Sequence, residues 1–189
     1  MDAASMRRRF ANWPLIQICG QSGIPAEIYR IKYQIKGLCV DASGNIVERE
    51  SHELDINLSL GYPRRAPQCR MVAPVFHPNF DDASVCIGDF WAASEGLDDL
   101  VIRIGRMIAY QEYNTRSPLN GLAAKWTAEN LHLLPIDNRT IAPPTGASES
   151  TESGFKLHNI PVPIAEQPVS NPDPGAAMDP WSEKIIVVP

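Results

Sequence analysis

Apolar and polar positions alternate over 27–38: Tyr29, Ile31, Tyr33 and Ile35 interleave with Arg30, Lys32, Gln34 and Lys36. A period of two predicts a strand with one buried face. The cluster Asp41-Ala42-Ser43-Gly44-Asn45 predicts a turn that returns the chain. A second strand is expected over 46–60, clearest at Leu54, Ile56, Leu58 and Leu60, with Gly61-Tyr62-Pro63 breaking it. A third, short strand is expected over 70–75. Local hairpins of this kind predict an antiparallel meander. Over 97–110 the period changes. Leu97, Leu100, Val101, Ile104, Met107 and Ile108 recur at three and four, as on an amphipathic helix. Asp98 and Asp99 fall in its first turn, where the helix dipole favours acids. Ser117-Pro118 predicts a further helix, with Ser117 as N-cap and Pro118 at the first helical position, running to about Glu129. Before the strands, 6–13 predicts a short helix stopped by Pro14, with Arg7, Arg8 and Arg9 in its middle.

After Leu134 the pattern gives way. The last 55 residues hold ten of the chain's 17 prolines, mixed with Ser, Thr, Gly and acids. Such a segment does not easily bury a core. The expected division is therefore 1–134 as a folded body and 135–189 as a largely extended tail. Within the tail only Ile185 to Val188 is strand-like, with Trp181 just before it. Seven acids against three bases from Pro135 onward leave −4 of the total charge of −5 in this tail. A near-neutral body with an acidic tail argues against nucleic-acid binding. No run approaches a membrane span. The basic first ten residues lack a following apolar stretch, so no signal peptide is read and a cytoplasmic location is expected. Cys19, Cys39, Cys69 and Cys86 show no metal-like spacing and read as free thiols in a reducing compartment. Cys19, Cys39 and Cys69 are expected in the core or in strands, since free cysteine buries readily.

The candidate chemistry lies in Phe76-His77-Pro78-Asn79-Phe80-Asp81-Asp82-Ala83-Ser84-Val85-Cys86-Ile87-Gly88. A cysteine, a polar amide and a rigid proline turn this close together suggest thiol acyl chemistry. A soft nucleophile attacks a carbonyl, and an amide steadies the oxyanion or the loop beside it.

Four marks in order make the chain resemble the ubiquitin-conjugating enzymes. They are Tyr62-Pro63-Arg64-Arg65-Ala66-Pro67, then His77-Pro78-Asn79, then Cys86, then Ser117-Pro118-Leu119-Asn120 with Asn114 just upstream. The resemblance implies an α+β fold with an N-terminal helix, a four-stranded antiparallel meander and following helices. It also implies an activity: a ubiquitin-activating-like enzyme would load a ubiquitin-like protein onto Cys86 as a thioester, and an amine of a target protein would take the acyl group. Asn79 would act at the acyl-transfer step, with His77, Pro78, Asn114 and Ser117 supporting the site. The arginine triplet would dock the activating enzyme; without the resemblance it reads as a solvated basic face. No cofactor or metal is called for.

The departures from the family pattern carry information too. Six residues separate Asn79 from Cys86, one fewer than in most eukaryotic members. Ser117 stands where the family has an acid, so lysine transfer would either be slower or borrow an acid such as Asp81, Asp82 or Asp89. Arg64 and Ala92-Ala93-Ser94-Glu95 alter both loops by which members recruit ligases. The long final helices give way to the proline-rich tail, in which Trp181 and Ile185 to Val188 form an isolated apolar patch suited to a partner-binding arm. The alternatives are an extension with no contacts and one that packs back on its own body. This divergence is most similar to bacterial members of phage-defence conjugation operons. Two other readings stand beside the conjugating enzyme: an inactive adaptor of the same fold that binds a ubiquitin-like protein, and a thiol hydrolase with a Cys86–His77 dyad.

Overall fold

The computed structural model describes residues 2–87 and 91–144 and the backbone of Ile186 and Val187. Asp89 and Trp181 lie outside the described residues.

The chain opens with α1 (Asp2–Phe10), which buries Met6 and Phe10, one helical turn apart. This is earlier than the expected 6–13. Asp2 in the first turn and Arg7 to Arg9 in the last complement the helix dipole. Then follow β1 (Ile16–Ser22), β2 (Ile28–Tyr33), β3 (Gly37–Val40), β4 (Ile46–Arg49), β5 (His52–Asn57) and β6 (Gln68–Met71). The helix α2 spans Leu97–Ile108, β7 is Glu112–Tyr113, α3 is Gly121–Glu129 and β8 is Ile186–Val187.

Four strands form one antiparallel sheet in the order β1-β2-β5-β6, and β3 and β4 form a separate hairpin. The alternation of β2 buries Tyr29, Ile31 and Tyr33, and β5 adds Leu54 and Ile56 on the same face. Against them lie α1 and the apolar side of α2, with Leu97, Leu100, Val101, Ile104 and Ile108 in one core. Each such side chain contributes on the order of 1.5–3 kcal/mol when fully buried. Tyr33 joins the layers directly, its Oη donating to the Val101 carbonyl at 2.9 Å.

The expected strand over 27–38 is two strands. After Tyr33 the Gln34 N–H turns to the Leu15 carbonyl and the Lys36 N–H to the Asp137 carboxylate, so the backbone leaves the ladder. At Gly37 the chain passes so close to His52 and Ile108 that a Cβ would lie 2.9 Å from both. The expected strand over 46–60 likewise divides into β4 on the side hairpin and β5 in the main sheet. The expected third strand sits slightly earlier, as β6. The body also extends past Leu134. Ile141 is 1% exposed in the main core, its carbonyl accepts from Trp13 Nε1 at 2.8 Å, and Asp137 is buried. Gly105 makes room there, since a Cβ on it would lie 2.8 Å from Ile141. The boundary expected at 134/135 therefore moves at least to Ala142. No described helix is long and apolar enough to cross a membrane.

Candidate active site

The turn at 77–79 is built from inside. His77 is fully buried, with its ring 4.8 Å from Phe80 and 4.7 Å from Tyr110, both edge-on. Its Nδ1 accepts from the Asn79 N–H at 3.1 Å, while Nε2 is buried without a partner of normal geometry among the described residues. Burial depresses its pKa to about 3, against a small opposing effect of the Glu112 backbone. The ring is therefore neutral, and neither nitrogen bonds to Cys86. His77 thus packs inside the turn, and no Cys86–His77 hydrogen bond is formed.

Pro78 is buried, and its carbonyl accepts from the Leu119 and Asn120 N–H groups at 2.9 and 3.0 Å. The Asn79 side chain reaches the other way. Its Oδ1 accepts from the Asn114 N–H at 2.8 Å, and its Nδ2 donates to the Asn114 carbonyl at 3.2 Å. The Asn114 side chain in turn accepts from the Arg116 and Ser117 N–H groups at 2.9 and 3.3 Å. Segment 114–120 is thus bound to the turn at both ends. Ser117 is not the N-cap of α3. That role falls to Asn120, whose Oδ1 accepts from the Ala123 N–H at 3.0 Å, while Ser117 is exposed. The expected helix start is three residues early because Pro78 holds the backbone at 119–120.

Segment 114–120 arrives in place because of Tyr110. It follows the end of α2 at φ +55°, a left-handed conformation that usually calls for glycine. The Tyr110 N–H bonds to the Met107 carbonyl and the Gln111 N–H to the Arg106 carbonyl, the paired closure of a Schellman motif. A tyrosine there costs on the order of 1 kcal/mol or more. Its fully buried ring on His77 and its hydroxyl on the Phe76 carbonyl, at 2.6 Å, offset that cost.

Cys86 is half-buried at the end of this construction, and its N–H donates to the Asn79 carbonyl at 2.9 Å. Phe80 and Val85 bridge across the base of the intervening loop, and the Val85 N–H bonds to the Cys69 carbonyl at 3.0 Å. Asp81 closes the tip. Its Oδ1 accepts from the Ala83 N–H, the Ser84 N–H and the Ser84 hydroxyl at 2.8, 2.6 and 3.2 Å. The six-residue spacing is therefore a compact, closed excursion. Of the acids expected to replace the missing one at Ser117, Asp81 is committed to this turn, and Asp82 is exposed with no side-chain bond among the described residues. Just past the cysteine, Arg103 donates to the Ile87 carbonyl and forks onto Glu95. Sequence reasoning missed this residue.

The other thiols differ. Cys69 is buried, and burial pushes its pKa up to about 12. Cys19 lies in β1, one of the expected strand positions, and is exposed where the β1–β2 register is irregular. Cys39 is half-buried. The arginine triplet also divides. Arg7 and Arg8 are exposed, but Arg9 Nη1 lies 2.7 Å from Asp98 Oδ2 and 2.6 Å from Asp99 Oδ1, joining α1 to α2. Near the altered loops, the Tyr62 and Trp91 rings lie 6.1 Å apart and Trp91 Nε1 donates to the Pro63 carbonyl.

These elements match known proteins. Residues 19–133 match the family model described as ubiquitin-conjugating enzyme, and the chain belongs to that family. A solved structure described as a novel ubiquitin-conjugating enzyme is similar at a TM-score of 0.53 and 16% identity, over 71% of this chain and 85% of that one. At that identity the likeness shows the fold. The family is one of transferases that work with an activating enzyme, a ubiquitin-like protein and target proteins.

Proposed function

We propose that the chain is a conjugating enzyme that carries a ubiquitin-like protein on Cys86. The supporting observation is the place of that thiol: half-exposed, next to Ile87, with its own N–H fixed by the Asn79 carbonyl. In the first step the Cys86 thiolate attacks the thioester carbonyl presented by the activating enzyme, whose thiolate leaves. In the second a target amine attacks the Cys86 thioester, the Cys86 thiolate leaves, and the amine loses its proton. Asp82 and Asp89 are the acids proposed to take that proton. Asn79 contributes its second amide hydrogen, beyond the bond to Asn114, to the oxyanion. The setting we favour is a bacterial antiviral conjugation system, on the sequence divergence described above.

The test is a trap. Tagged Cys86→Ser chain, expressed in its source cell and recovered under denaturing conditions, should carry a reductant-resistant oxyester, and the parent a reductant-sensitive adduct. Cys86→Ala should carry neither, with an unchanged melting temperature. An adduct that persists in Cys86→Ala would remove Cys86 from this role. No adduct in any variant, with a ubiquitin-like protein still co-purifying, would favour the adaptor.

The same reading assigns Arg7 and Arg8 to encounter with the activating enzyme, because they are exposed while Arg9 is engaged with α2. Arg7→Glu with Arg8→Glu should slow loading several-fold at low salt, with the difference shrinking as salt is added and no change in melting temperature. Arg9→Ala should instead lower stability by about 1–2 kcal/mol, because it leaves the buried Asp98 carboxylate without its strongest partner. Equal loading by the double variant at low salt would contradict the docking role.

A further inference from the structure

Arg103 lies on α2, seventeen residues after the cysteine, yet it holds the chain beside the thiol. Its Nη1 donates to the Ile87 carbonyl at 2.6 Å. Its Nε and Nη2 meet Glu95 Oε1 and Oε2 at 3.0 and 2.9 Å. The fork fixes the plane of the guanidinium, because two parallel bonds to one carboxylate leave it a single orientation. That plane aims the third donor at the carbonyl one residue beyond Cys86. The group is partly buried, with the Arg103 side chain 29% and the Glu95 side chain 21% exposed. Cys86 is thus held on both sides: its own N–H by the Asn79 carbonyl, and the next carbonyl by Arg103. Arg103 also ties Ile87 and Glu95, the two flanks of the segment that follows the cysteine, to one helical side chain.

We infer that Arg103, oriented by Glu95, is a positioning residue for Cys86. It sets where the thiol sits for acyl transfer without touching the acyl group. The inference rests on the proposed role of Cys86 as the acyl carrier. Reactions between positioned groups are sensitive to small displacements, and a shift of about 1 Å can lower a rate about 100-fold. Recognition of the activating enzyme would not change, since Arg103 is no part of the α1 surface proposed for docking.

Cys69 is the internal reference. It is buried in the core within reach of the charges of Arg103 and Glu95. Losing the arginine's charge can only raise its pKa and slow its alkylation, so a faster Cys69 reports loosening of the core. The experiment measures iodoacetamide modification of each cysteine by mass spectrometry, and loading with the protein pair identified by the Cys86→Ser trap. In Arg103→Met, Cys86 should alkylate several-fold faster, since alkylation needs access rather than orientation, while Cys69 does not speed up. Loading at saturating activating enzyme should fall about tenfold or more, with KM for that enzyme unchanged. Arg103→Lys, which can restore one bond to the Ile87 carbonyl, should recover part of the rate. Unchanged Cys86 alkylation and loading would overturn the inference. So would Cys69 alkylating in step with Cys86, or a change confined to KM. If the parent never loads but Arg103→Met shifts Cys86 alkylation alone, positioning stands and the conjugating role falls.

Discussion

Asn79→Ala is expected to lower stability by about 3 kcal/mol and to slow discharge of the loaded protein about 100-fold. The stability loss follows from the geometry. The side chain pairs both the N–H and the carbonyl of Asn114, at 2.8 and 3.2 Å, with Asn79 itself 4% exposed. Removing it orphans two buried backbone groups at about 1–3 kcal/mol each. Asn114→Ala makes the contrast. It keeps the backbone that Asn79 grips and loses only the bonds to the Arg116 and Ser117 N–H groups, so about 1 kcal/mol is expected. Equal losses in the two variants, by denaturant titration, would refute the clamp. The discharge effect follows if the remaining amide hydrogen reaches the oxyanion, because one such donor is typically worth about 100-fold or more. Discharge to free lysine should be read at a temperature where both proteins are fully folded. A rate equal to the parent's there would leave Asn79 only its structural part.

The marks of this site are legible in the sequence because each is a local chemical necessity. Proline stiffens the turn at His77-Pro78-Asn79, and the cysteine follows within one short loop. The four strands of the main sheet are less legible. β2 and β5 alternate clearly because their neighbours on both sides hold the register. β1 escapes notice because most of its side chains are exposed and the register shifts between Ile18 and Gly20, which breaks the period. Long-range charge pairs are beyond reach. Nothing in Arg7-Arg8-Arg9 distinguishes the third arginine, yet Arg9 closes onto Asp98 and Asp99 some 90 residues away. Arg103 reads as an ordinary polar position on an amphipathic helix. The end of α2 misleads in another way: local propensity puts glycine in a left-handed cap, whereas here packing on His77 holds a tyrosine there.

Composition also misplaces the start of the tail. Proline and acid content set its boundary at Leu134, but single apolar residues such as Ile141 can anchor a polar segment when a glycine opposite them leaves a hole. Within the expected tail, Ile186 and Val187 pair antiparallel with Tyr113 and Glu112 of the body itself. That pairing adds a strand to the edge of β7, next to the Asn114 that Asn79 grips. This pairing is of the kind expected if the tail packs back on its own body, and a partner-binding arm stays a proposal. The proposal of partner binding passes to Trp181, which lies outside the described residues.

Acid should destabilise the protein well before its carboxylates protonate. Two histidines are buried and neutral. His77, fully buried between Phe80 and Tyr110, is depressed to about 3 by that burial. His52, 2% exposed, is depressed to about 4, first by burial and then by the charge of Arg49, against a bond from its Nε2 to the Arg49 carbonyl. In the unfolded chain both titrate near the ordinary value of about 6.5. Below that pH the unfolded state binds protons that the folded state refuses, so stability falls as pH falls. The stabilising effect is fully present above about pH 6.5 and is lost progressively toward the folded values of about 4 and 3. At pH 5 each histidine is about 1.5 units below its unfolded value, so each removes about 2 kcal/mol, or about 4 kcal/mol for the pair. The carboxylates act separately and later. Asp137, held at about 2 by Arg139 despite burial and helped by the Lys36 N–H, loses its contribution only as pH falls below about 4. Urea titrations at pH 8, 6 and 5 should therefore show most of the loss between the last two. His52→Gln, whose amide can still donate to the Arg49 carbonyl, should remove about half of the pH dependence while leaving its onset near the unfolded value of about pH 6.5. Stability that stays level from pH 8 to pH 5 would mean that both rings take up protons in the folded state. His77 would then not be the neutral wedge on which the turn and Cys86 are built.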